Sequence, residues 1–162
     1  METAGCRVRA SSSPCPRRDP VAAALVHATC VAIDGAGVLL RGPSGSGKSD
    51  LALRLVDGGA ALVADDQVSL GLEDGRLIAR APPTLAGLLE VRGIGIVPFA
   101  ALESVSVALV VDLAPADAVQ RAPEADYCEI AGLTVPRLTL NAFEPSAPAK
   151  VRVGLRAAGR RL

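Results

Sequence analysis

Gly42-Pro43-Ser44-Gly45-Ser46-Gly47-Lys48-Ser49 carries the plainest chemical signal in the chain, matching the phosphate-binding pattern G-x-x-x-x-G-K-[ST] at every fixed position. Its glycines let successive backbone N–H groups close on phosphate oxygens where a Cβ would intrude. Lys48 stands where a compact point charge reaches the β and γ phosphates, and the Ser49 hydroxyl where it takes a place on Mg²⁺. Lysine recurs only at Lys150, the other basic residues being arginine, so its use in this slot is informative. The plain alternative is a Gly/Ser-rich connector. At average residue usage that match arises by accident on the order of once in two hundred chains of this length.

A phosphate loop needs a strand before it and a helix after it. Val38-Leu39-Leu40 and Asp50 to Val56 supply the apolar flanks, and the helix points its unpaired N–H groups and positive dipole end at the same anion. Leu25 to Ile33 reads as a strand, Asp34 to Gly37 as a turn, and Val38 to Arg41 as the returning strand. A hairpin leading into the loop departs from the parallel strands that nucleotide-binding folds favour. The helix stops at Gly58-Gly59, and Ala60 to Ala64 forms a buried strand ending in Asp65-Asp66. If this strand runs parallel to the loop strand, both end at one sheet edge and the aspartates emerge beside the phosphates. There a carboxylate can hold Mg²⁺ or take a proton from an attacking hydroxyl. The bland alternative is two solvated aspartates closing a strand.

Downstream, Val68–Leu72 and Leu77–Ala79 read as a hairpin about Glu73-Asp74-Gly75, and Pro82-Pro83 breaks the pattern. Thr84 to Leu89 suggests a short helix, and Glu90 to Val97, with Gly93 and Gly95 between apolar residues, a loop held close to something. Val105 to Leu113 is the most apolar strand and is expected at the sheet centre. Pro115 to Tyr127 is polar and proline-broken, Leu133 to Leu140 is a strand carrying Arg137, and Ala149 to Ala158 is a final helix.

The 162 residues suit one domain with a real core. Half are hydrophobic, mostly Ala, Val and Leu, and the aromatics are Phe99, Tyr127 and Phe143, so a mainly aliphatic adenine pocket is expected and base stacking is not. The formal charge of zero argues against a nucleic-acid binder. Cys6, Cys15, Cys30 and Cys128 form no C-x-x-C pair and His27 is the sole histidine, which speaks against structural zinc and for free thiols in a reducing cytoplasm. No apolar run reaches the length of a membrane span, and the N-terminus has no apolar signal-peptide core. Residues 1–20, rich in Gly, Ser, Pro and Arg, are expected to be a disordered leader, with the domain over 21–158.

Several features together resemble the catalytic domain of the bacterial HPr kinase/phosphorylase family, in its short proteobacterial form. They are His27 ahead of the hairpin, the loop Gly42 to Ser49 followed by an acidic residue, Leu62-Val63-Ala64-Asp65-Asp66, Ala81-Pro82-Pro83, and Leu89-Glu90-Val91-Arg92-Gly93-Ile94-Gly95-Ile96. The resemblance implies an α/β fold of the P-loop, phosphoenolpyruvate-carboxykinase-like kind, a mixed sheet with flanking helices. It implies a serine kinase using ATP and Mg²⁺ on an HPr-like phosphocarrier protein, with phosphorolysis as the reverse reaction in many members. Asp65 is then the base, Asp66 its support, Lys48 the phosphate contact, Ser49 and Asp50 the metal ligands, and His27 and Arg92 neighbours of the reacting groups. Arg137 would reach a neighbouring subunit of a hexamer. Asp50 stands where many members have Glu, one methylene longer. Other readings of the same residues are an ATP-binding regulatory module and a small-molecule kinase on the same fold. No N-K-x-D motif supports a GTPase.

Overall fold

The computed structural model describes residues 21–159, so the expected leader over 1–20 lies outside the described residues. Eleven strands and two α-helices follow in the order β1 (Val21–His27), β2 (Thr29–Ile33), β3 (Ala36–Arg41), α1 (Lys48–Asp57), β4 (Ala61–Ala64), β5 (Gln67–Glu73), β6 (Arg76–Arg80), β7 (Leu88–Val91), β8 (Gly95–Pro98), β9 (Val105–Leu113), β10 (Asp126–Ile130), β11 (Leu133–Leu140) and α2 (Ala147–Gly159). β2 is buried at every position and β3 at its four central ones, as expected for apolar runs covered on both faces.

The β2–β3 hairpin turns on Asp34 and Gly35, both at positive φ, the conformation that matches the twist of the flanking strands. β2 pairs antiparallel with β3 on one side and with β4 on the other, so β3 and β4 run parallel with β2 between them. β9 is parallel to β3, and β11 is parallel to β9. Across this part of the sheet the order is β4-β2-β3-β9-β11. All but β2 therefore end at the same edge, where open α/β sheets bind ligands.

Alternate strand residues face two cores. Val31, Val38, Leu40, Leu109 and Val111 pack against Leu51 and Leu55 of α1 and Ala147 and Val151 of α2. Cys30, Leu39 and Val110 face the other way, onto Val68, Leu70, Leu77 and Ala79 of β5 and β6. Both helices lie in the first cluster, and the second face is covered by the sheet's own curl through β1-β5-β6. Leu51 and Leu55, one turn apart and fully buried, fix the face of α1, each worth ~1.5–3 kcal/mol of burial. The helix ends where Gly58 N–H donates to Arg54 O at 3.1 Å and Gly59, at φ 94°, donates to Val56 O at 2.9 Å. Arg152 of α2 donates to the terminal carbonyls of Leu55 and Gly58 at 3.3 and 2.7 Å.

The segmentation differs from the sequence reading at three places. The first strand breaks at Ala28, sending β1 to pair with β5 while β2 stays in the centre. The helix expected over Thr84–Leu89 is only a 3₁₀ turn at Pro83–Leu85, because Leu88–Val91 pairs with Gly95–Pro98 as a separate two-stranded hairpin. Its inner residues Leu89 and Val91 are buried against the helix side of the sheet, and that burial outweighs local helix preference. β10 lies in and beyond the expected irregular stretch, and as a largely exposed strand pairing only with β11 it lacks apolar alternation.

Candidate functional site

The loop Gly42–Ser49 leaves the end of β3 and closes onto α1. Gly47 has φ 91°, and a Cβ there would sit 2.8 Å from that of Ala142, so only glycine fits. Lys48 is 7% exposed, and its ammonium donates to the carbonyls of Gly42 and Pro43 at 2.8 and 3.0 Å. Two of its three donors thus brace the loop, leaving one for an anion.

Asp65 and Asp66 emerge beside this loop, as the parallel relation of β3 and β4 requires. They do not share an environment. Asp65 is 5% exposed. Its Oδ1 accepts from Thr29 Oγ1 at 2.7 Å, Ser49 Oγ lies 2.9 and 3.1 Å from its two oxygens, and Glu90 N–H donates to Oδ2 at 3.3 Å. Asp66 adopts φ 66°, the left-handed region that Asp tolerates better than most residues, while Gln67 N–H closes back on Asp65 O at 2.8 Å. This local turn sends neighbouring side chains apart, Asp65 inward and Asp66 into the open cleft. There Asp66 Oδ1 lies 3.3 Å from His27 Nδ1, both side chains more than half exposed.

The break at Ala28 explains the pairing. His27 ends β1 and Thr29 begins β2, so residues two apart in sequence each meet a different aspartate. Glu90, Val91 and Arg92 enter the cleft from the end of β7, and Leu53 and Phe143 complete a concavity of about 280 Å³ with the loop. Arg92 takes part in no salt bridge among the described residues.

Of the expected site residues, His27, Ser44, Gly45, Gly47, Lys48, Ser49, Asp50, Asp66 and Arg92 line one cleft, and Asp65 lies directly beneath Ser49. Two of the expected residues already have partners of their own. Asp65, expected to meet the substrate hydroxyl, is buried and surrounded by donors, so the accessible carboxylate is Asp66. Asp50, expected at the metal, turns along the helix to Arg54, whose Nη2 lies 2.8 Å from its Oδ2. Arg137 is bound within its own chain, 2.8 Å from Asp126 and 3.6 Å from Asp112. Cys30 offers no nucleophile, because burial pushes its thiol up to about 12.

Thr29 and Phe143 went unremarked in the sequence as site residues. Thr29 is a fully buried hydroxyl in an apolar strand, which a spacing argument has no reason to single out. Phe143 carried one legible signal, an aromatic residue in a short polar connector of a chain with hardly any aromatics.

Parts of the chain are similar to known proteins. The HPr kinase/phosphorylase of Clostridium beijerinckii is 44% identical over 81 residues, 50% of this chain and 27% of that protein. HPr kinase/phosphorylase 1 of Oceanobacillus iheyensis is 52% identical over 73 residues, 44% of this chain and 24% of that protein. The chain thus spans about a quarter of the length of the curated relatives it matches. The solved Hpr(Ser) kinase/phosphatase from Coxiella burnetii superposes with a TM-score of 0.76 at 27% identity, covering 85% of this chain and 92% of that one. Its likeness bears out the mixed α/β, P-loop-type kinase fold. The family model for the HPr serine kinase C-terminal domain matches residues 21–146, spanning the loop, both aspartates, the β7–β8 hairpin and Phe143, and the chain belongs to that family.

Proposed function

We propose that this domain, over residues 21–158, is an ATP-dependent protein-serine kinase acting on an HPr-like phosphocarrier protein, with phosphorolysis as its reverse. The observation that carries the reading is the division of the two aspartates about the loop, one buried under Ser49 and one open beside His27. The family name and the names of the curated relatives supply the substrate class.

The donor set fits Mg²⁺ and a triphosphate. Ser49 Oγ and the Asp65 carboxylate are hard oxygen ligands side by side, and Glu90 brings a further carboxylate to the cleft. Among the described residues no group of three or more His, Cys, Asp or Glu is clustered to cage a metal alone. That suits an ion which keeps waters and takes its other ligands from phosphate. When bound, Mg²⁺ would neutralise charge on the β and γ phosphates. Lys48 and the loop N–H groups would hold the phosphates, and Arg92 would add positive charge as the terminal phosphoryl group moves.

In this reading Asp66 takes the proton, supported by its exposure in the cleft. The serine O–H bond breaks as its oxygen bonds to the γ phosphorus, the bridging β–γ P–O bond breaks, ADP leaves, and the proton passes to the Asp66 carboxylate. His27 orients that carboxylate from 3.3 Å. In phosphorolysis an oxygen of inorganic phosphate bonds to the phosphoserine phosphorus, the P–O bond to the serine oxygen breaks, Asp66 returns the proton to that oxygen, and pyrophosphate leaves. The test is transfer from γ-labelled ATP with Mg²⁺ to an HPr-type carrier. Wild type and Asp65→Asn should label a carrier serine, the variant requiring more Mg²⁺, and Asp66→Asn should not. Undiminished transfer by Asp66→Asn would overturn the assignment of the base. The resemblance further implies a homo-oligomer, a hexamer, which light scattering would measure. No described helix is long and apolar enough to cross a membrane.

A further inference from the structure

The sheet order gives the cleft two ends. β3 delivers the phosphate loop to the middle, β4 delivers Asp65 and Asp66 two strands to one side, and β11 delivers the connector Asn141-Ala142-Phe143 two strands to the other. A triphosphate whose terminal phosphoryl group faces Asp66 therefore runs its remaining length toward the β11 side.

Phe143 waits there. Its side chain belongs to neither core cluster, it is 66% exposed, and it lines the cleft. Its ring edge would lie 3.2 Å from a Cβ on Gly47, so it flanks the loop at the start of α1.

The mount is rigid although the ring is open. Phe143 N–H donates to Asn141 Oδ1 at 2.8 Å, and Ala142 is 1% exposed. Arg54 donates to the carbonyls of Ala142 and Glu144, and the same guanidinium is anchored by Asp50. Asp50 thus holds this connector through Arg54.

We infer that Phe143 is the platform on which the nucleobase stacks, with Leu53 supplying further apolar surface in the same cleft. The expectation of a mainly aliphatic base pocket without stacking weighed how few aromatic residues there are and not where one stands. The inference rests on the nucleotide reading given under the proposed function. A base laid on an aromatic ring gains ~1–3 kcal/mol, and that gain is indifferent to the phosphates.

The experiment is isothermal titration of wild type, Phe143→Leu and Phe143→Tyr with Mg²⁺ plus either ATP or inorganic tripolyphosphate, which has no base. Phe143→Leu should weaken ATP by roughly five- to a hundredfold. Its affinity for tripolyphosphate should change by less than about twofold, and Phe143→Tyr should bind ATP like wild type. Equal loss of both ligands in Phe143→Leu would mean that the ring only props Gly47, and the inference would be overturned. Unchanged ATP affinity in Phe143→Leu would overturn it too, as would wild-type protein that binds tripolyphosphate no more weakly than ATP. Wild-type protein that binds neither ligand would remove the nucleotide reading itself, and the platform with it.

Discussion

The two sides of the phosphate loop are built on opposite terms. On the β4 side a charge is buried and surrounded by hydroxyl and amide donors drawn from β2, α1 and β7. On the β11 side an apolar ring is left in the open on a connector whose backbone is tied to α1. Burying a carboxylate is costly unless its lone pairs are filled, so the chemical end has to be assembled by several segments at once. An exposed ring needs only a fixed backbone beneath it. The first arrangement fixes the Asp65 carboxylate against Ser49, and the second supplies a surface that tolerates sliding.

Substitutions that separate the two ends should differ in kind. The largest effect is expected for Asp66→Asn, which keeps the shape and removes the proposed proton acceptor. Transfer should fall by about 10²–10⁴-fold. ATP affinity, measured by titration, should stay near wild type, and a parallel loss of ATP affinity would show that Asp66 holds nucleotide.

Asp65→Asn should raise the Mg²⁺ concentration giving half-maximal transfer by about 10–100-fold. A Mg²⁺ titration of the rate checks this, and an unshifted midpoint would remove Asp65 from the metal's surroundings. Next in size, Arg54→Ala frees the 142–144 connector and unpairs Asp50. ATP affinity should drop about fivefold or more, and tripolyphosphate affinity much less, the pattern of a partly lost stacking contact. Loss confined to tripolyphosphate would mean that Asp50 and Arg54 serve the metal end after all.

The smallest effect is expected at Arg41, the residue before Gly42, whose guanidinium grips Asp112 at 2.7 and 2.8 Å. Its pKa is raised first by that hydrogen bond and is lowered in part by burial. Both partners are about a third exposed, so Arg41→Ala should cost about 1 kcal/mol in denaturant unfolding. Arg41→Ala with Asp112→Ala should cost less than the sum of the single changes. Either end of the cleft should be weakened equally, because Arg41 supports the loop between them.

Much of this was legible in residue order. The strand, loop and helix around Lys48 follow from local rules, since a phosphate loop is one continuous segment and its flanks declare themselves by apolar pattern. The placement of Asp65 and Asp66 beside it also followed, because a β4 parallel to β3 must end at the same sheet edge. The β7–β8 hairpin was read as a close-held loop, and Glu90 and Arg92 do enter the cleft from it.

The sequence by itself determined that a phosphate-loop segment would run over Gly42–Ser49 between strand and helix and that carboxylates would stand at its side, because the first is a contiguous pattern and the second follows from a β4 parallel to β3. Only the tertiary structure decided which carboxylate is buried and which is open. Asp65 and Asp66 are chemically identical neighbours, and they part company through one left-handed backbone turn and through Thr29, Ser49 and Glu90 arriving from three remote segments. The same holds for Asp50, claimed by Arg54 along its own helix, and for Phe143, whose exposure beside Gly47 depends on where β11 ends relative to β3. Long-range convergence of this sort leaves no periodic trace in a chain, since packing constrains positions in space and not intervals in sequence.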